Sequence, residues 1–170
     1  MRPFAVWLTG LPASGKSAIA RELATQLHAR GVDCALLESD VLRKQLTPFA
    51  TYDEAERDLF YASLADVGGA LIARGRPVIF DATANRRRYR DAAREAIGRF
   101  VEAHVDTPLE VCAARDPKGL YRDNSIASLP GVRAPYEPPL APEIVLHGDR
   151  GTPEASAQRV VTLLAGRGWI

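Results

Sequence analysis

A lysine and a hydroxyl residue that close the pattern G-x-x-x-x-G-K-[ST] can hold the phosphates of a nucleoside triphosphate. Gly10, Leu11, Pro12, Ala13, Ser14, Gly15, Lys16 and Ser17 spell that pattern. A loop that wraps a phosphate chain must aim several backbone N–H groups inward, so glycines stand where a Cβ would block the turn or the anion. Lys16 then supplies a point charge for the β- and γ-phosphates, and the Ser17 hydroxyl serves as a magnesium ligand. Ala18 continues the stretch into a helix whose N-terminus faces the anion. ATP as phosphoryl donor and Mg2+ as cofactor are therefore expected.

Two carboxylates stand where such a site needs them. Asp40 ends Glu38-Ser39-Asp40, at the carboxyl end of the second apolar run, and ligands of open parallel sheets bind beyond those ends. Asp81 closes a hydrophobic-hydrophobic-hydrophobic-Asp sequence, Val78 to Asp81, the form in which phosphate-loop enzymes hold the magnesium shell. A carboxylate that caps a turn is the plainer alternative for Asp81. Farther on, Asn85 stands as N-cap before Arg86, Arg87 and Arg88. Arginines in a first turn oppose the helix macrodipole by roughly a few tenths of a kcal/mol each, so an anion nearby is expected, unless the run is only a solvated basic face.

The elements that must position these groups alternate along the chain. Five apolar runs separated by helical patterns imply a single α/β domain over residues 1–170, with a parallel sheet covered on both faces. The runs are Phe4 to Leu8, Cys34 to Leu37, Pro77 to Phe80, Phe100 to Asp106 and Glu143 to Leu146. A first helix is expected from about Gly15 to Arg30, stopped by Gly31. A long one is expected from Asp53 to Arg74, with Phe60, Leu64, Val67 and Leu71 on its apolar face. Thr107-Pro108 and Thr152-Pro153 each read as a cap with a first-turn proline. Residues 118–142 are irregular, and a loop of that length in a compact domain suggests a lid over the phosphates, spanning about 116–140. The fold class expected is a phosphate-loop nucleoside-triphosphate hydrolase fold, with an expected strand order of 2-3-1-4-5.

Lys plus Arg number 22 against 21 Asp plus Glu, so charge alone favours neither nucleic acid nor membrane. Small-molecule substrates and a cytoplasmic location are expected. Cys34 and Cys112 fit no metal or redox spacing and read as core residues. His28, His104 and His147 have no partner at ligand spacing and read as structural. Trp7 reads as sheet packing, Trp169 as tail or interface.

Several stretches carry a more specific likeness. The phosphate loop, Asp40 with Arg43, Asp106 to Cys112, the heptapeptide Arg115-Asp116-Pro117-Lys118-Gly119-Leu120-Tyr121 and the run Pro135-Tyr136-Glu137-Pro138-Pro139 together resemble adenylylsulfate kinase, from Val6 to about Leu164. The resemblance implies ATP-dependent, magnesium-requiring phosphorylation of the 3′-hydroxyl of adenosine 5′-phosphosulfate, in sulfate activation. It implies that Asp40 accepts the hydroxyl proton or fixes that hydroxyl, that Arg43 and Arg57 hold the phosphosulfate end, that Lys118 stabilises the transferring phosphoryl group, and that Arg115 lies near the ATP adenine. Tyr52 and Leu129 stand nearest the two phenylalanines between which the family stacks the acceptor adenine, and Ala84-Asn85 replaces its Ser-Pro pair, which puts Asn85 at the acceptor. Family members are often dimers, which allows a homodimer.

This chain departs from the family on the acceptor side. Phe60 and Ala62 stand where an asparagine and an arginine touch the acceptor, Glu38 where the family writes aspartate, and Leu129 offers no π face. Losing an aromatic partner and a charge-assisted hydrogen bond would each cost on the order of 1 to 3 kcal/mol unless replaced. Arg86, Arg87 or Arg88 are candidates for the replacement. Two alternatives stand beside the family reading: a related kinase with another acceptor, such as a nucleoside, a sugar acid or an antibiotic, and a nucleotide-binding module without catalysis. A nucleic-acid end kinase lacks the basic domain it would need.

Overall fold

The computed structural model describes residues 2–47, 49–123 and 129–170. Five strands, β1 (Ala5–Thr9), β2 (Ala35–Glu38), β3 (Val78–Asp81), β4 (Phe100–Asp106) and β5 (Ile144–His147), form one sheet in the order β2-β3-β1-β4-β5. All four pairings are parallel. The middle strands read as unbroken apolar runs because helices cover both faces, and β1 and β3 are buried throughout. Leu8 stands beside Asp81, and Thr9 beside His104, so the carboxyl ends of β1, β3 and β4 open at one edge. That edge is where the chain reverses its direction across the sheet, and there ligands bind in this topology.

The helices are α1 (Lys16–His28), α2 (Ser39–Leu46), α3 (Glu54–Ala73), α4 (Arg87–Ile97), α5 (Leu109–Arg115) and α6 (Pro153–Gly166). Ile19, Leu23 and Leu27 of α1 meet Val160, Val161 and Leu164 of α6 in one core under the sheet. Phe60 and Leu64 of α3 join Tyr89 of α4, Trp7 and Phe80 in the other. Fully burying each such side chain contributes about 1.5 to 3 kcal/mol. Trp7 lies flat on Phe80, ring centroids 4.5 Å apart, and its indole N–H donates to Ala82 O. Trp169 packs against Phe4 as a terminal seal. Among the described residues no helix is long and apolar enough to cross a membrane.

The sheet order and the strand count agree with the sequence reading, and several local expectations do not. The helix α2 begins within Glu38-Ser39-Asp40, where the sequence shows only a strand exit. Val67 is exposed, and Gly68 takes its place in the core, because a Cβ at Gly68 would overlap the Phe80 ring. Asn85 does not cap α4; the N-cap is Arg86, and the Glu137 carboxylate accepts the Arg87 N–H instead. Thr107 caps nothing either, since its hydroxyl donates to Ser14 O at 2.8 Å and Pro108 is the N-cap of α5. At α6 the expectation holds: Thr152 Oγ1 accepts from Ala155 N.

Candidate active site

The loop between β1 and α1 is shaped by close approach. A Cβ at Gly10 would overlap Val105 O, and Gly15 holds φ 104° as the residue before α1. Ala13 adopts φ 60°, a left-handed conformation that costs a residue with a side chain about 1 to 2 kcal/mol. Tyr52 and Ala84, at φ 58° and 43°, are the other such described residues. Strain of this kind persists where the surroundings over-determine the backbone.

Lys16 is buried, and its ammonium donates to Gly10 O at 3.0 Å and Leu11 O at 2.7 Å. Burial pushes its pKa down, opposed by the nearby Asp81 and Asp40 carboxylates. Asp81 is displaced the other way. Burial raises it, while Lys16 and a hydrogen bond with Ser17 pull it back, and Asp40 and Glu38 raise it further. Lysine, hydroxyl and buried carboxylate thus converge at the mouth of β1 and β3. Glu38 itself is tied to Arg21, 2.9 Å from Nε. Arg115 stands at the far side of the loop, with Nη1 3.9 Å from where a Gly15 Cβ would lie.

Three further contacts hold the loop, and motif reading missed all of them. Thr107 reaches Ser14 O, Tyr121 Oη donates to Pro12 O at 2.7 Å, and Gly148 packs so tightly that a Cβ would overlap Ser14 O and Thr107 Oγ1. The sequence signal for Gly148 was a lone glycine after the last strand, which is also how an ordinary turn reads.

Across the cleft, Asp40 lies exposed in the first turn of α2, in contact with the Lys118 ammonium. One turn on, Arg43 is buried, with its guanidinium 3.9 Å from the Phe60 ring centroid, 4.9 Å from that of Tyr52 and 2.5 Å from Glu56 Oε1. Cation–π contact and an ion pair together offset its desolvation. Arg57, also buried, donates from Nε to Tyr52 O at 3.0 Å. The structure therefore brings Asp40, Arg43, Tyr52, Arg57 and Lys118 to one side of the phosphate loop.

Asn85 and Leu129 are placed differently from the other acceptor candidates. Asn85 is buried and pins the strap that follows the lid: Nδ2 donates to Pro135 O, and the Asn85 main-chain carbonyl accepts from Glu137 N. Leu129 is buried, and its carbonyl accepts three N–H groups, from Val132, Arg133 and Ala134. Two of the three arginines have anionic partners, and the third donates to a main-chain carbonyl. Arg86 pairs with Glu137 at 3.0 Å, Arg88 contacts Glu54 and Asp58, and Arg87 Nε donates to Pro138 O. Engaged in this way, they hold α4 to the strap and α3. The lid residues 124–128 lie outside the described residues.

The arrangement can hold a triphosphate on one side, present a carboxylate to a hydroxyl on the other, and place a lysine between them. The family model described as adenylylsulphate kinase matches residues 2–147. An adenylyl-sulfate kinase of Halothermothrix orenii is 37% identical over 97% of this chain and 91% of its own length. One of Microcystis aeruginosa is 38% identical over 99% and 95%. Among solved structures, the Mycobacterium tuberculosis APS kinase CysC in complex with AMPPNP and APS superposes with a TM-score of 0.88 at 33% identity, over 96% of this chain and 98% of that one.

Proposed function

Since the chain belongs to the adenylylsulphate kinase family, we propose that it transfers the γ-phosphate of ATP to the 3′-hydroxyl of adenosine 5′-phosphosulfate. The observation that carries the residue assignment is the meeting of Asp40 and Lys118 opposite Lys16, Ser17 and Asp81. Phosphoryl transfer asks a protein for positioning and positive charge rather than covalent chemistry. Lys16 and the N–H groups from Gly10 to Ala18, Pro12 excepted, hold the donor phosphates, with Arg115 near the adenine. Asp40 accepts or orients the acceptor hydroxyl proton. Lys118, freed from Asp40 when an acceptor enters, turns its charge to the transferring group. Arg43 and Arg57 meet the acceptor's anionic end, and Tyr52 offers the ring on which a base can stack.

Ser17 and Asp81 fit a magnesium ion. Burial first, and then the neighbouring Asp40 and Glu38 carboxylates, raise the Asp81 pKa, a cost that a cation beside it would relieve. Mg2+ takes one or two carboxylates with phosphates and water, so the absence of a three-ligand cluster among the described residues accords with it. A magnesium ion held by Ser17 and Asp81 would supply positive charge that offsets the charge of the phosphates. For the reaction we propose a cytoplasmic setting, as part of sulfate assimilation.

A second reading, with another hydroxyl acceptor, draws on the ring of Phe60 over Arg43 and on Glu56, which already neutralises that arginine. A coupled assay of ADP release with magnesium and ATP decides between them. Saturable turnover with adenosine 5′-phosphosulfate is expected. Turnover restricted to a nucleoside, sugar acid or aminoglycoside would establish the second reading. In the same assay Asp40→Ala is expected to lower kcat on the order of 100-fold or more while ATP still binds, and full turnover would remove Asp40 from its role.

A further inference from the structure

The segment that carries Lys118 is built as a hook onto the phosphate loop. The helix α5 ends at Arg115, and Asp116, its C-cap, turns the chain at φ 12°. The Asp116 side chain is 1% exposed. Its Oδ2 accepts the N–H of Tyr121 at 3.0 Å and of Arg122 at 3.4 Å, while its main-chain carbonyl accepts from Gly119 N at 3.1 Å. Oδ1 is buried and has no hydrogen-bond partner among the described residues, which is costly for a carboxylate oxygen. The turn so closed points two side chains in useful directions. Lys118 meets Asp40, and Tyr121 donates its hydroxyl to Pro12 O. Gly131 from the other side of the lid packs on Leu11, where a Cβ would overlap the leucine side chain.

We propose that Asp116 and Tyr121 are positioning residues that couple the phosphate loop to Lys118, so that the loop which holds the donor phosphates also sets the place of the lysine. Pro12 contributes a carbonyl, which no phosphate can accept a bond from, to this contact. Its loss therefore removes no phosphate donor and acts on the lysine's placement. Burial raises the Tyr121 pKa, which keeps the phenol a donor throughout the working range of pH. The inference rests on the reading that Lys118 acts in the transfer step.

A double-mutant cycle tests it, with Tyr121→Phe and Lys118→Ala singly and together, kcat and KM for ATP at saturating adenosine 5′-phosphosulfate, and melting temperature. Tyr121→Phe is expected to lower kcat about fivefold to tenfold, with KM for ATP and melting temperature little changed. In the Lys118→Ala background the same substitution is expected to cost less than about twofold, because residues that act through one another are not additive. An equal loss in both backgrounds, or none in the parent, overturns the hook. Full turnover in Lys118→Ala overturns the reading beneath it as well, and so separates the two failures. Asp116→Asn keeps an acceptor for the Tyr121 N–H and is expected to retain most of kcat that Asp116→Ala loses. Equal losses in both variants would refute the capping role.

Discussion

Asp81 shows how one residue is set against itself. Desolvation at the end of β3 disfavours its charge, and the pull of Lys16 and Ser17 does not fully restore it. A carboxylate whose folded pKa lies above its unfolded value weakens the fold as pH rises through that interval, and keeps the deficit above it. Asp81→Asn removes the charge and leaves the shape. The free protein is expected to melt at or above the parent's temperature while magnesium-dependent turnover falls on the order of 100-fold. A variant that melts well below the parent and retains turnover would contradict both halves. Arg43 is the opposite case: its desolvation is met by an aromatic ring and by Glu56, which explains how a cation can stay buried before any anion arrives.

At the scale of elements, α4 and the strap from Pro135 to Pro138 are one unit. Arg90, 1% exposed, donates to Glu102 Oε1 at 2.6 Å and to Glu137 O at 2.7 Å, and contacts Ala84 O. Removing one partner of a buried pair strands the other charge. Glu102→Ala is therefore expected to cost on the order of 3 kcal/mol, read as a fall in the denaturant midpoint. A cost near zero would show that the two carbonyls suffice for Arg90. The junction after β5 works by proximity rather than charge. Because a methyl at Gly148 would overlap Ser14 O, Gly148→Ala must shift the phosphate loop, and kcat/KM for ATP is expected to fall on the order of 100-fold. Unchanged kcat/KM would mean that the loop can yield without harm.

Over the whole molecule, acid should act in two stages. The His104 pKa is lowered by burial, on the strand beside the Tyr136 ring. Between the lowered value and its ordinary 6.5 the unfolded chain binds more protons, so stability falls as pH drops through that window. Glu143 follows below 4.5. Burial works to raise it, but the Arg94 fork, at 2.6 and 2.9 Å, and the Glu102 N–H outweigh burial and leave it depressed. Its contribution is present above 4.5 and lost as pH falls through the folded value. Stability followed from pH 8 to 3 is expected to decline in both windows, and Glu143→Gln is expected to flatten the lower one. An unaltered lower window in that variant would assign it to other carboxylates.

The sequence by itself determined what depends on neighbours along the chain. Alternation of apolar runs with helical patterns implied the parallel sheet, and the G-x-x-x-x-G-K-[ST] spacing located the phosphate loop, because strand, turn and helix are local and their residues contiguous. Asp40, Asp81 and Lys118 were legible as members of short motifs. Other features were decided only by groups far apart in sequence. Thr107 reads as a helix cap until Ser14, 93 residues away, claims its hydroxyl. Asn85 reads as a cap until Pro135 and Glu137 arrive from the strap. Arg86 and Arg88 look available until Glu54, Asp58 and Glu137 close on them. A hydrogen-bonding group takes the partner that the fold brings nearest, and local pattern cannot rank partners that only the packed chain brings within reach.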